Sequence, residues 1–222
     1  KEEREKLFIL KPLYQRVLIV FGGPLANFLL ALVIFFSIYT FIGKDFTPAV
    51  INEVQEESPA MVGGLKEGDI ILEIDGNKVQ SIMDVSKFIT MSTDEIIDFK
   101  VKRSYDELIL KIKPDLILSE DNLGNKIKKR MVGIKLGAFN NEINHVKLGP
   151  AQSLYHAANE VYYVSISSLK YVGAMIFGKA DTSQLGGPIR IAKISGQVAE
   201  FGVLAFISMM AYISISLGLI NL

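Results

Sequence analysis

Cysteine is absent from these 222 residues, and histidine occurs only twice, as His145 and His156. No disulfide and no thiolate metal site can form, although the lack of cysteine alone leaves the compartment open. Net charge is missing too, because 24 basic residues balance 24 acidic ones. A neutral chain has no global attraction for a polyanion, which argues against nucleic acid as a partner. Charge of either sign is absent altogether from residues 17–43 and again from residues 201–222.

Half of the residues are apolar and mean hydropathy is +0.32 with 22% charged residues, so the apolar residues are gathered into blocks. At ~1.5 Å rise per residue, either uncharged run can cross a ~30 Å hydrocarbon core as a helix. A core helix of a soluble protein seldom stays free of charge for so long. The charged first sixteen residues and the length of the run behind them argue against a cleavable signal peptide. Lys1, Arg4, Lys6, Lys11 and Arg16 precede the first run, whereas its far flank carries Lys44 followed by Asp45. That bias places residues 1–16 in the cytoplasm, the segment between the runs outside it, and the C-terminus back in the cytoplasm. In a bacterium the middle segment is then periplasmic and the chain a multi-pass protein of the inner membrane.

The middle segment has its own order. Residues 49–114 read as a small α/β domain. Residues 49–54 form a strand, Ser58-Pro59-Ala60 opens a short helix and Gly63-Gly64 closes it. Residues 69–74 are a compact apolar strand, and Asp75-Gly76 is a hairpin turn signal. Ser81 and Asp84 fit a capping box ahead of Val85, Phe88 and Ile89, which share one helical face. Residues 95–102 and 107–113 predict two more strands, and Pro114 ends the domain. Residues 115–148 read as a β extension, with a polar turn at 121–125, a basic run at 126–130 taken as a hairpin tip, and one strand at 131–136. Gly149-Pro150 then opens a helical pattern that runs to Gly178. Its apolar stripe is Leu154, Ala158, Val161, Leu169, Val172 and Ile176, with Tyr155, Tyr162, Tyr163 and Tyr171 around it. Glu160 and Lys170 disfavour a third span, so an amphipathic helix in the interface plane is expected. Residues 185–200 contain a short juxtamembrane helix starting at Gly187-Pro188.

Several stretches resemble one family. Phe21-Gly-Gly-Pro-Leu-Ala-Asn-Phe28 resembles the second membrane helix of bacterial site-2 proteases of the RseP type, which are intramembrane zinc metalloproteases. Ser58-Pro-Ala60, Gly64-Leu-Lys-Glu-Gly-Asp69 and Ile74-Asp-Gly76 are similar to their PDZ domain. Leu185-Gly-Gly-Pro-Ile-Arg-Ile-Ala-Lys-Ile-Ser-Gly196 and Ser216-Leu-Gly-Leu-Ile-Asn-Leu222 are similar to the approach to their third helix and to that helix itself. The matches come in the family's order across the whole chain. They imply an α+β membrane protein, with transmembrane helices flanking a PDZ-like domain and an interfacial amphipathic helix beside it. They also imply cleavage of single-span membrane substrates in regulated intramembrane proteolysis.

The resemblance implies zinc held by an H-E-x-x-H helix and an L-D-G turn, with the glutamate as general base. Neither motif occurs in this sequence. The expectation is therefore a fragment whose parent binds zinc and which itself has no catalytic residue, no metal ligand and no proteolytic activity. His145 and His156 read as surface or interface residues. Two asparagines are candidates for substrate positioning. Asn27 sits inside the first span, where an amide needs a partner, and it reads either as packing glue or as support for the active-site region. Asn221 stands where the family's motif precedes the ligand-bearing turn, and it reads either as a helix cap or as a group that holds unwound substrate backbone. Val85, Phe88 and Ile89 are the candidate wall of a peptide groove that works by strand addition, with at least one of them turned to the core. That domain can bind a peptide or protein C-terminus or filter bulky substrates. A membrane-anchored PDZ adaptor without enzymatic activity is the competing reading; it does not need the second uncharged run or the Leu-Gly-Leu-Ile-Asn ending.

Overall fold

A computed structural model describes residues 11–120, 126–138, 143–178 and 188–222. Lys1, Arg4 and Lys6 of the basic flank, the polar turn at 121–125 and residues 185–187 lie outside the described residues. The chain divides into two compact units. One comprises Lys1–Ile42, Leu148–Ile166 and Ile194–Leu222, the other Gly43–Lys147 and Ser167–Lys193.

The first unit is helical. Helix α1, Leu13–Ser37, widens into a π-helical turn at Ile38–Ile42. The second apolar run forms a helix at Val203–Ile220, numbered α6 below. Both are long and apolar enough to cross a membrane. They pack antiparallel, since Tyr212 meets Phe35 while Gly218 meets Phe28 farther back along α1. Small residues make the contact. Ala31, Ala211 and Gly218 are buried, and the Ser214 hydroxyl donates to the Asn27 carbonyl at 2.9 Å. A Cβ on Gly218 would lie 3.0 Å from the Phe28 ring. Leu18, Leu25, Leu29 and Val33 are exposed.

The second unit is built on an antiparallel sheet. Its strands are β2 Ala49–Val54, β3 Ile70–Ile74, β4 Asn77–Lys78, β5 Ile97–Arg103, β6 Asp106–Ile112 and β9 Ile134–Gly137. Their order is β6-β5-β3-β2-β9, with β4 on β3. Alternation along β5 drives Ile97, Phe99 and Val101 into the core, where Ile51, Ile71, Ile74 and Ile112 meet them. Each such side chain contributes roughly 1.5–3 kcal/mol by leaving water. Two helices cover the sheet: α2, Pro59–Val62, capped by Ser58, and α3, Ile82–Met91, opened by the expected Ser81–Asp84 capping box. The Asp75-Gly76 turn has φ +48 and +74 and joins the Ile74–Asn77 pair, the two-residue geometry that matches strand twist. Asp75 also accepts from the Asp98 amide at 2.9 Å and the Ser92 hydroxyl at 3.0 Å.

Asp69 is the exception in this interior, completely buried and ionic. Arg103 grips it at 2.7 Å through both Nε and Nη2 and also donates to the Gly64 carbonyl, while the Lys66 amide donates to the same carboxylate. The Asp69 hydrogen bond holds the Arg103 guanidinium above its ordinary value, against the opposing effect of burial.

Beyond β6 the sequence reading needs correction. The sheet does not end at Pro114, because β9 pairs along β2. The basic run at 126–130 is no hairpin tip but most of strand β8, Lys126–Met131, laddered against β7, Asp115–Glu120. The strand expected at 131–136 is broken at Val132 and Gly133. Gly133 has φ +81, and a Cβ there would lie 2.3 Å from Ser58. A short ribbon, β1 Lys44–Asp45 with β10 His145–Val146, pairs the chain's entry into this region with its exit.

Helix α4, Pro150–Ile176, spans the stretch expected to be helical, and α5 is Pro188–Glu200. The apolar stripe of α4 is not its buried face. Leu154, Leu169, Val172 and Ile176 are exposed, whereas Ser153, Ala157, Glu160 and Val164 are buried. The 4-3-4 spacing of those four makes one seam of the helix.

Candidate functional site

Strand β9 lies at the end of the sheet, and among the described residues no strand pairs with its outer edge. Beside it runs a cleft of about 200 Å³, lined by α3 on one side and by the turn into β9 on the other. Val85, Ser86, Ile89 and Thr90 come from the helix, and Val132, Gly133, Ile134 and Leu136 from the turn and strand. The turn is held by its carbonyls. Val132 O accepts from the Ala60 amide at 2.8 Å and Gly133 O from the Gln55 amide at 2.9 Å. A cleft of this size takes one or two side chains rather than a drug-sized molecule, which needs roughly 300–1,000 Å³. A free strand edge beside an apolar cleft is the arrangement used in strand addition.

Of the three predicted groove residues, Val85 and Ile89 line the cleft and Phe88 does not. Phe88 is buried, with the Lys87 ammonium 5.2 Å from its ring centroid. Helical spacing explains the split, because i and i+4 share a line that i+3 leaves. The opposite wall was missed. Its signal was a Gly at position 133 between Val and Ile, in a stretch read as one continuous strand.

Arg130 lines the same cleft, and no carboxylate does. Its Nη1 is buried without a hydrogen-bond partner. Burial pushes the guanidinium below its ordinary value, and the charges of Asp94 and Asp75 only oppose this. Both Asp75 carboxylate oxygens are already engaged by Asp98 and Ser92.

Asn27 lies near the middle of α1, whereas Asn221 stands at the end of α6. Asn27 meets α6 through its backbone carbonyl, not its amide. Asn221 is the exposed residue that ends α6, its amide N–H donating to the Leu217 carbonyl at 3.1 Å. From the Ser214 contact, Asn221 is seven residues further on, about 10 Å along the helix. The structure therefore does not bring the two into contact through that pairing. No group of three His, Cys, Asp or Glu side chains suited to a metal occurs among the described residues. His145 stands on β10 and His156 on α4, in different units. The donor set present does not fit a catalytic zinc.

Residues 1–222 match the protein family described as Peptidase family M50. A protein of Agrobacterium fabrum named as a zinc metalloprotease is 34% identical over 221 residues, covering 100% of this chain and 59% of its own length. One from Rickettsia conorii, named likewise, is 34% identical over 223 residues, covering 100% and 62%. The zinc metalloprotease RasP of Geobacillus kaustophilus is 29% identical over 216 residues, covering 97% and 48%. The chain thus spans about half to three-fifths of the length of these curated relatives. Among solved structures, the PDZ domain of an SdrC-like protein from Listeria monocytogenes is 24% identical with a TM-score of 0.33, covering 41% of this chain and 88% of that one.

Proposed function

The chain belongs to peptidase family M50, and from that premise we propose that it is the PDZ-bearing part of an intramembrane zinc metalloprotease that cleaves single-span membrane proteins in regulated proteolysis. The observation that carries this reading is the family match along all 222 residues, from the first apolar helix to Asn221. The antiparallel packing of α1 and α6 supports a topology in which both chain ends are cytoplasmic and the sheet domain is periplasmic, in a bacterial inner membrane. Helix α4, with Tyr155 and Tyr162 exposed beside Leu154 and Leu169, suits an interfacial position. Zinc belongs to the parent enzyme, and no chemical step is assigned to the residues of this chain. In this reading Asn221, exposed at the end of α6, holds substrate backbone, with Asn27 as support on the neighbouring helix.

The test is cleavage of a single-span substrate by the full-length parent in lipid. Zinc-dependent cleavage that a chelator abolishes and added zinc restores is expected. A parent that folds, binds zinc and cleaves nothing overturns the reading in favour of an adaptor. Asn221→Ala lowers cleavage and leaves bound zinc unchanged; cleavage equal to wild type makes Asn221 a helix cap only.

The groove between α3 and β9 is proposed to take an extended peptide end, with Arg130 facing a carboxylate of the ligand. The free edge of β9, the Val85–Ile89 wall and the unpaired Arg130 nitrogen support it. A peptide with a free C-terminus binds tighter than its C-terminal amide, and Arg130→Ala removes that difference. Equal binding of both peptides to the unaltered protein sinks the carboxylate assignment and leaves size filtering.

A further inference from the structure

Glu160 is the one charged side chain in the buried seam of α4. Its Oε1 accepts a hydrogen bond from the Tyr212 hydroxyl of α6 at 3.0 Å. The Tyr212 ring meets Phe35 of α1 edge-on, with centroids 5.3 Å apart. Phe35 stacks with Tyr39 at 6.1 Å, and Tyr39 meets the His156 ring edge-on at 6.4 Å. Three helices of one unit therefore converge where Glu160 is buried.

This cluster adds α4 to the contact between α1 and α6, since Tyr212 touches both Phe35 and Glu160. Ala211, Ser214, Ile215 and Gly218 are the buried positions of α6, and Ser214 and Gly218 touch α1. Tyr212 stands at the border of that face, about 100° around the helix from Ala211, where it reaches Phe35 as well as Glu160. Asn221 follows Tyr212 by nine residues, about 13 Å along the axis and half a turn around it. A rotation of α6 by about 20° moves a side chain about 5 Å from the axis by nearly 2 Å, and a misplacement of about 1 Å can cost about a hundredfold in rate.

We propose that Glu160 is a positioning residue for cleavage: by accepting the Tyr212 hydroxyl it fixes the rotation of α6 and with it the placement of Asn221. The proposal rests on the protease reading above. In the full-length parent, Glu160→Ala and Tyr212→Phe each lower kcat by about tenfold with KM and zinc content unchanged, and the double variant is no worse than either single one. Glu160→Gln keeps an acceptor oxygen and recovers to within about threefold of wild type. Losses that multiply in the double variant, or a Glu160→Gln as poor as Glu160→Ala, overturn the proposal. A second readout needs no activity. With any cysteines elsewhere in the parent replaced, the thiol introduced by Leu222→Cys is alkylated at a rate that shifts several-fold in Glu160→Ala and not in Glu160→Gln. Unchanged alkylation in Glu160→Ala overturns the clamp, whereas a wild-type parent that cleaves nothing overturns the protease reading.

Discussion

In the sheet unit the buried side chains include Ile51, Ile71, Ile74, Ile97, Phe99 and Val101, and apart from Asp69 and Asp84 the described charges stand outside or half-buried. Along α1 and α6 the buried positions are mixed, because Phe35 and Ile215 are inside together with small residues. Ala31, Ala211, Ser214 and Gly218 are inside, while Leu25, Leu29 and Val33 face out. The proposed membrane position of α1 and α6 accounts for the outward leucines. In water, large apolar side chains drive packing by leaving solvent. In lipid that drive vanishes, so helices associate through small residues that let backbones approach, and polar groups find partners across the contact. Ser214 on the Asn27 carbonyl and Tyr212 on Glu160 are such partners. The difference supports a chain that lives in both solvents, independently of any motif.

The largest break in that comparison should come from Asp69, the completely buried charge of the sheet unit. Asp69→Ala leaves the Arg103 guanidinium without its bidentate partner, and breaking a buried pair in this way costs roughly 3–5 kcal/mol. Pulse proteolysis should report loss of the sheet unit, with α1 and α6 still inserted. Retained protease resistance would show that water reaches Arg103 and that the interior is wetter than its exposure suggests. Gly133→Ala comes next. It forces a left-handed residue and a clash with Ser58 at once, at about 2–3 kcal/mol, and should cost peptide binding before it costs folding.

The helical unit is sharpened by a contrast of sizes. Gly218→Leu drives a side chain into Phe28 and should weaken the α1–α6 contact by about 1–3 kcal/mol. Leu25→Ala, on the outward face, should leave that contact unchanged. Disulfide cross-linking of engineered cysteine pairs reads both. A loss in Leu25→Ala as large as in Gly218→Leu would mean that the outward leucines pack on protein rather than on lipid.

Much of this was legible in the sequence wherever a local rule governs. The Ser81–Asp84 capping box, the Asp75-Gly76 turn and the Ala49–Val54 strand depend on neighbours in the chain and were placed to the residue, whereas the first helix begins at Leu13, ahead of its uncharged run. What escaped depends on distant partners. The turn at Gly133 arises because Ser58 and Gln55 pack against it, and nothing within residues 126–137 announces that. The buried seam of α4 was missed because periodicity finds only the apolar face, which the sequence reading gave to the membrane interface. Beside apolar helices, Ser153, Ala157 and Glu160 make the buried line instead.

The smallest effect tests the watery side of the comparison. Glu95 lies below its ordinary 4.5, first through its hydrogen bond to Lys113 and then through that residue's charge. Glu107 is lowered in the same way by Lys100. A carboxyl with a depressed folded pKa adds stability that is complete above its unfolded pKa and is lost as pH falls through the folded one. Both pairs therefore help at neutral pH and cease to help in acid, once pH has fallen through the lowered folded value. Both are fully solvated, so salt screens them and a modest effect is all that is available. Glu95→Gln should move the acid unfolding midpoint of the sheet unit slightly at low ionic strength and not at all in about 0.5 M salt, where the Debye length is only a few ångströms. A shift that survived salt would place that pair out of water, on a surface this comparison assigns to it.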